Sequence, residues 1–201
     1  MSLQLLWAIL SFFVGALLFA VWVGRLAARR DIREVGDANP GSTNVLRVAG
    51  PGWFILAMIL DISKAAAPVG LAYQIFGWRG WPMALIAMAP PLGHAFSPFL
   101  GGKGGKAIAP VFGAMIGLTI WITPLVAVAS VVLYLRLLRP NGWAVVLALL
   151  TVLVYLLAFR PDLLLIAVTI GQLALLAYTH RADLAHRPAL RRRQKEKPNT
   201  D

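Results

Sequence analysis

The chain has 201 residues, 59% of them hydrophobic and only 13% charged, with mean hydropathy +0.75. A soluble domain of that composition would expose large apolar patches, so the solvent this chain is built for is lipid. The net charge of +11 does not indicate nucleic acid, because the basic residues fall in short clusters between apolar runs, and the absence of cysteine excludes disulfides, thiolate nucleophiles and Cys-ligated metals.

At about 20 apolar residues per crossing, there is room for about seven spans with short loops, so the expected fold is an all-α integral membrane bundle. Residues 1–201 are expected to form a single polytopic domain. Met1-Ser2-Leu3-Gln4 offers no basic segment, and the apolar run behind it lacks a small-residue cleavage site, so it reads as a retained span over about residues 3–24. That span ends at Arg25, Arg29, Arg30 and Arg33, which the positive-inside rule puts in the cytoplasm, leaving the N-terminus outside. Residues 31–50 are too polar to cross and rich in turn formers, which makes them the first cytoplasmic loop.

The second span runs over about 53–76, Gly77-Trp78-Arg79-Gly80 makes an outer turn, and the third span starts at Trp81 and reaches about Leu92. Residues 107–135 fit either one tilted helix or two short spans broken near Thr123-Pro124. Two spans are chosen because they put every Lys and Arg inside except Arg79, Arg160 and the intramembrane Lys64. The sixth span covers about 143–159, Arg160-Pro161-Asp162 turns outside, and the seventh covers about 163–178. From about residue 180 the chain is a basic cytoplasmic tail, whose Arg191, Arg192, Arg193, Lys195 and Lys197 set topology and attract anionic headgroups.

Three clusters able to do chemistry lie on the cytoplasmic side of this layout: 39–47, 94–106 and 180–186. In Gly93-His94-Ala95-Phe96-Ser97-Pro98-Phe99-Leu100-Gly101-Gly102-Lys103-Gly104-Gly105-Lys106, the glycines would let backbone N–H groups converge on an anion, and the lysines supply charge. A nucleotide-binding P-loop is excluded, since Leu100 and Ala107 stand where glycine and a hydroxyl are needed. There is no His-Glu-x-x-His pairing, carboxylate cluster or Gly-x-Ser-x-Gly elbow, so neither a metal nor a serine nucleophile is expected. What remains is Arg47, Lys103 and Lys106 for phosphate oxygens, Asn39, Ser42, Thr43 and Asn44 for orientation, and His94 or His180 for proton transfer. Asp61 and Lys64, three apart on one helical face, read as an ion pair orienting the second span.

These residues resemble the motifs of the bacterial integral-membrane acyl-phosphate:glycerol-3-phosphate acyltransferases, over nearly the whole chain. The first motif is met by Gly36, Asn39, Gly41, Thr43, Asn44 and Arg47, with Asp37, Ala38 and Ser42 in place of Ser, Gly and Ala. The second is met by Gly93, His94, Phe96, Phe99, Leu100, Lys103, Gly104, Gly105 and Lys106, and Asp61 with Lys64 supplies the Asp-x-x-Lys typical of the second span. The third departs most: His180 remains, while Asp183 replaces asparagine, His186 replaces arginine and Arg192 replaces an acid.

The resemblance implies transfer of a fatty acyl group from acyl-phosphate to the sn-1 hydroxyl of glycerol 3-phosphate, giving lysophosphatidic acid in the bacterial inner membrane. It implies phosphate binding by Asn39, Gly41, Ser42, Thr43, Asn44, Arg47, Lys103, Gly104, Gly105 and Lys106. His180, Asp183 and His94 are the catalytic candidates, with His180 preferred as base. Acyl-phosphate is already activated, so no cofactor, metal or covalent intermediate is expected; membrane lipid is the surrounding, and neither nucleic acid nor an obligate protein partner is implied. Asp37 near a phosphate calls for a cation, with Arg33 or Arg181 the candidates. The altered third motif leaves two rivals, a non-catalytic membrane binder or transporter of a phosphorylated ligand and an acyltransferase for another phosphorylated polyol.

Overall fold

Backbone in hydrocarbon has no water to bond to, so apolar runs must satisfy their own amides as helices. The computed structural model describes residues 3–191, and Arg192, Arg193, Lys195 and Lys197 of the basic tail lie outside the described residues. Its helices are α1 (Leu3–Ala16), α2 (Phe19–Ala28), α3 (Ser42–Ala49), α4 (Pro51–Gly70), α5 (Gly80–Ala95), α6 (Ile108–Thr119), α7 (Ile122–Leu137), α8 (Asn141–Phe159), α9 (Leu163–Thr179) and α10 (Arg181–Leu184). Among the described residues, four segments are long and apolar enough to cross a membrane: Leu3–Ala28, Pro51–Ile75, Gly80–Leu100 and Asn141–Phe159. The expected fourth, fifth and seventh spans are the shorter apolar helices α6, α7 and α9. At 12 residues α6 is roughly 18 Å long, well short of a hydrocarbon core of about 30 Å.

Helix pairs in an apolar solvent gain little from hydrophobic burial and pack instead by close approach of small residues. Gly15 lies against the backbone of Pro90 and Gly93 against the carbonyl of Phe12, which seats α1 on α5 with no room for a Cβ at either glycine. In the same way Gly113 meets Ile62 and Gly117 meets Val69 and Gly70, joining α4 to α6. Ala8, Val69, Ala72, Met83, Ile86 and Ala87 fill the contact between these pairs. Leu85, Leu125, Val154 and Leu157 point outward, the side that lipid covers.

Four local features differ from the expectation. The first span is not continuous but breaks at Leu17-Leu18, between α1 and α2. The polar stretch 31–50 contains the eight-residue helix α3, which ends at Gly50 in the left-handed region (φ +85°) just before Pro51 opens α4. The break between α6 and α7 falls at Ile120-Trp121 rather than at Thr123-Pro124; Pro124 sits in the first turn of α7, where its missing N–H costs nothing, and Thr119 Oγ1 accepts the Thr123 N–H at 3.3 Å. Residues beyond α10 fold back, with Ala189–Leu190 pairing antiparallel to Leu138–Arg139 and Arg191 bonding Asn141 Oδ1 at 2.8 Å. The otherwise helical structure therefore carries one two-residue ribbon.

Candidate active site

The break in the first span frees backbone groups that a continuous helix would have paired. Ser97 Oγ donates to the Ala16 carbonyl at 2.8 Å, and Lys64 Nζ donates to the Leu17 carbonyl. Lys64 and Asp61 are 2.7 Å apart with side chains 1% and 2% exposed, so the ion pair expected from their spacing forms and is fully desolvated. Lys64 Nζ also lies 2.9 Å from Nδ1 of His94, itself 3% exposed. An ammonium has only donors, so His94 Nδ1 accepts and the ring proton sits on Nε2. In this arrangement neither ring nitrogen of His94 is a free base.

His94 in turn shapes the glycine-rich loop. Gly104 N–H donates to the Ala95 carbonyl and Gly105 N–H to the His94 carbonyl, both at 3.0 Å, so the loop runs back along the end of α5. A Cβ on Gly104 would strike the His94 and Ala95 carbonyls, and one on Gly105 would strike the His94 ring. The remaining amides are also engaged: Gly101 with Pro98, Gly102 with Ser97, Lys103 with Leu100, and Lys106 with Asn39 Oδ1 at 3.1 Å. The anion cradle of backbone N–H groups expected from the sequence is therefore not formed. Gly104 and Gly105 serve close backbone approach, and the cationic chemistry of the loop belongs to the Lys103 and Lys106 side chains.

The first motif is a turn closed by its own asparagine. Asn44 is 1% exposed and donates to the Val35 carbonyl (3.0 Å), the Asn39 carbonyl (2.9 Å) and Asp37 Oδ1 (3.2 Å), while its Oδ1 accepts from Arg47 at 2.8 Å. Both ends of the Asn44 amide are thus engaged within the turn, which they hold together, with Arg47 bonded to Oδ1. Arg33 is committed to Asp31, at 2.6 and 2.9 Å, and Arg25 joins them at 2.8 Å. Those guanidinium bonds, Arg33 first, hold the Asp31 carboxyl far below the usual carboxylate range despite some desolvation.

The third cluster closes the site from the end of α9. Thr179 Oγ1 donates to the Lys106 carbonyl at 3.0 Å, so the Lys106 backbone is clamped between Asn39 and Thr179. The Lys106 ammonium lies 3.0 Å from Asp37 Oδ2 and 3.8 Å from Asp183 Oδ2. Asp37 is therefore paired with Lys106, not with Arg33 or with Arg181, whose guanidinium stacks 4.5 Å over the Tyr178 ring. Burial pushes the Asp37 carboxyl up, but the hydrogen bond and charge of Lys106 outweigh it and leave it below its ordinary value.

These pieces wall a cleft of about 410 Å³, lined by Asp37, Asn39, Lys103, Gly104, Gly105 and Lys106 together with Phe96, Tyr178, Thr179 and Arg181. Of these, Tyr178 and Thr179 were not singled out from the sequence; Thr179 adjoins His180, and that adjacency is the signal that could have pointed to it. His180 is 2% exposed, and its Nδ1 faces the Leu176 carbonyl at 2.9 Å. A carbonyl only accepts, so Nδ1 carries the proton and Nε2 is the free basic nitrogen. Burial lowers the His180 pKa, the Leu176 bond raises it and the Lys106 charge lowers it, with a net fall that keeps the ring neutral. Gly41, Ser42, Thr43, Asn44, Arg47, His94, His180 and Asp183 are not among the cleft-lining residues; His180 lies in the chain between the lining residues Thr179 and Arg181, and Asp183 reaches the cleft through Lys106.

A family model described as glycerol-3-phosphate acyltransferase matches residues 5–187. A glycerol-3-phosphate acyltransferase of Maridesulfovibrio salexigens is 30% identical over 185 residues, spanning 90% of this chain and 92% of that protein. That of Shewanella oneidensis is 41% identical over 115 residues, spanning 57% of this chain and 56% of that protein. Two crystal structures of PlsY, an integral membrane glycerol 3-phosphate acyltransferase, superpose over 92% of this chain and 91% of theirs. The glycerol 3-phosphate form gives a TM-score of 0.80 at 26% identity and the lysophosphatidic acid form 0.82 at 25%. On the family match and the full-length relative, the chain belongs to the glycerol-3-phosphate acyltransferase family.

Proposed function

We propose that this protein transfers a fatty acyl group from an acyl phosphate to the sn-1 hydroxyl of glycerol 3-phosphate, yielding lysophosphatidic acid for phospholipid synthesis and inorganic phosphate. The observation that carries this reading is the cleft itself, where Lys103, Lys106 and Asn39 meet at the end of an apolar bundle beside a neutral, buried histidine. Both substrates bring a phosphate and one brings an acyl tail. A cationic cleft at the lipid boundary holds the heads in near-attack geometry while the tail stays in hydrocarbon.

His180 Nε2 takes the proton of the acceptor hydroxyl as its oxygen attacks the acyl carbonyl carbon. The bond between that carbon and the phosphate oxygen then breaks, the electron pair leaves with the phosphate, and the imidazolium returns the proton to it. Lys103 and Lys106 stabilise the charge gathering on the leaving group. Asn39 fixes Lys106 through its backbone, Asp183 fixes the lysine side chain, and His94 fixes the loop. Gly41, Ser42 and Thr43 open α3 beside Asn39 and orient the acceptor, with Arg47 supporting that turn through Asn44.

The bundle is one polytopic unit of the bacterial inner membrane with seven crossings, N-terminus outside and C-terminus and active site in the cytoplasm. The basic clusters at 25–33, 103–106 and 181–191 support that orientation, since all lie at the cleft end. The test is phosphate release from palmitoyl phosphate by purified protein in lipid, with and without glycerol 3-phosphate. Acceptor-dependent release with lysophosphatidic acid as product is the expected result. Acceptor-independent behaviour, or ligand binding without release in folded protein, would favour the binder or transporter instead.

A further inference from the structure

The ammonium of Lys106 is already occupied. Asp37 Oδ2 at 3.0 Å and Asp183 Oδ2 at 3.8 Å take two of the directions in which a phosphate would bond it. These carboxylates reach it from the two elements that also clamp its backbone, the 37–39 turn through Asn39 and the end of α9 through Thr179. Both clamps hold the Lys106 backbone, so its side chain enters the cleft from a fixed point between the two carboxylates. Among the described residues, Lys103 has no such ion pair.

We infer that Asp37 is a specificity-determining residue which, with Asp183, stands in for a phosphate on Lys106, so that a phosphorylated acceptor binds only by displacing a carboxylate. This rests on the reading of Lys106 as a phosphate ligand. A phosphate bonded to Lys106 Nζ lies within a few ångströms of both carboxylates, and like charges at that range repel. Asp37 is the more displaceable of the two. Its side chain is 47% exposed against 29% for Asp183, and Asp183 is packed against Gly142 at the start of α8. Asp37 Oδ1 separately accepts from Asn44 at 3.2 Å, so the turn can keep its closure while Oδ2 releases the lysine. The cleft thus favours acceptors that offer hydroxyl donors to a carboxylate and weakens those recognised by phosphate charge alone.

The test compares wild type with Asp37→Asn, Asp37→Ser and Asp37→Glu in lipid. It measures the KM for glycerol 3-phosphate in acyl transfer and, by calorimetry, direct binding of inorganic phosphate. Removing one carboxylate charge near the phosphate lowers KM about fivefold, the factor that one unit-charge repulsion at about 4 Å corresponds to in near-water dielectric. The fall appears in KM rather than kcat, inorganic phosphate binds tighter by a similar factor, and Asp37→Glu stays close to wild type. A KM unchanged or raised in Asp37→Asn, in protein with the wild-type melting profile, overturns the inference. If no protein transfers acyl groups, the proposed reaction fails, yet phosphate binding still decides the role of Asp37: tighter in Asp37→Asn supports it, equal binding overturns it.

Discussion

Replacing Lys64 with methionine removes an ammonium that touches four groups: Asp61 at 2.7 Å, the Leu17 carbonyl, His94 Nδ1 at 2.9 Å and the face of Phe19 at 5.7 Å. The largest consequence is an Asp61 carboxylate left 2% exposed with no counter-charge, and breaking a buried pair from one side costs about 3–5 kcal/mol. The Leu17 carbonyl and His94 Nδ1 lose their donor as well, at about 1–3 kcal/mol each if nothing replaces it, though such terms do not simply add. The double variant Asp61→Leu/Lys64→Met deletes both charges and roughly keeps the volume, so the orphaned-charge cost vanishes while the unpaired Leu17 carbonyl and His94 Nδ1 remain. Thermal unfolding in detergent is therefore expected to show a large drop for Lys64→Met and recovery of about half of it in the double variant. Acyl transfer should remain low in the double variant, because His94 no longer has the donor that orients its ring. Equal melting midpoints for the single and double variants would refute the desolvated-pair reasoning, and full activity in the double variant would refute the link to the loop.

His180→Ala should lower turnover by about 10²- to 10⁴-fold, the usual worth of a positioned base. Since burial depresses its pKa, the neutral form persists into mild acid. The acid limb of the pH–rate profile is then expected below the ordinary histidine range, and a limb at or above that range would count against His180 as the base. Gly104→Ala should cost both stability and activity, about 1–3 kcal/mol by overpacking, because a methyl there meets backbone carbonyls that cannot move aside. If the loop instead cradled phosphate with its amides, the change would appear first as a raised KM in a protein that melts normally.

The helical architecture was legible because apolar runs separated by charged or glycine-rich turns leave few alternatives in lipid. Asn39, Lys103 and Lys106 were legible as partners in one cleft from the motif pattern. The break at Leu17-Leu18 was not, since neither residue is a helix breaker; it persists because Ser97 and Lys64, both distant in sequence, supply bonds the helix gives up. The same blindness misread the glycine loop. Composition showed that backbone groups there are accessible, but only the fold shows that α5 and Asn39 already take them. Asp37 and Asp183 each looked like a solitary anomaly, and their common target became visible only when the first turn and the end of α9 met at Lys106.

Buried charge at this depth is not needed to hold the helices together. The glycine contacts between α1 and α5 and between α4 and α6 already do that, and a well-packed apolar pair would serve α4 as well as Asp61 and Lys64 do. What an apolar pair lacks is a donor. Lys64 is the single group that can bond the carbonyl exposed by the break in the first span and the ring of His94 at once, and His94 passes that constraint to Gly105 by packing and to the loop by its carbonyl. The register of Lys106 in the cleft is in this way tied to a helix interruption on another segment. The cost of desolvating two charges goes into geometry, placing one lysine of the cleft where two carboxylates or one phosphate compete for it.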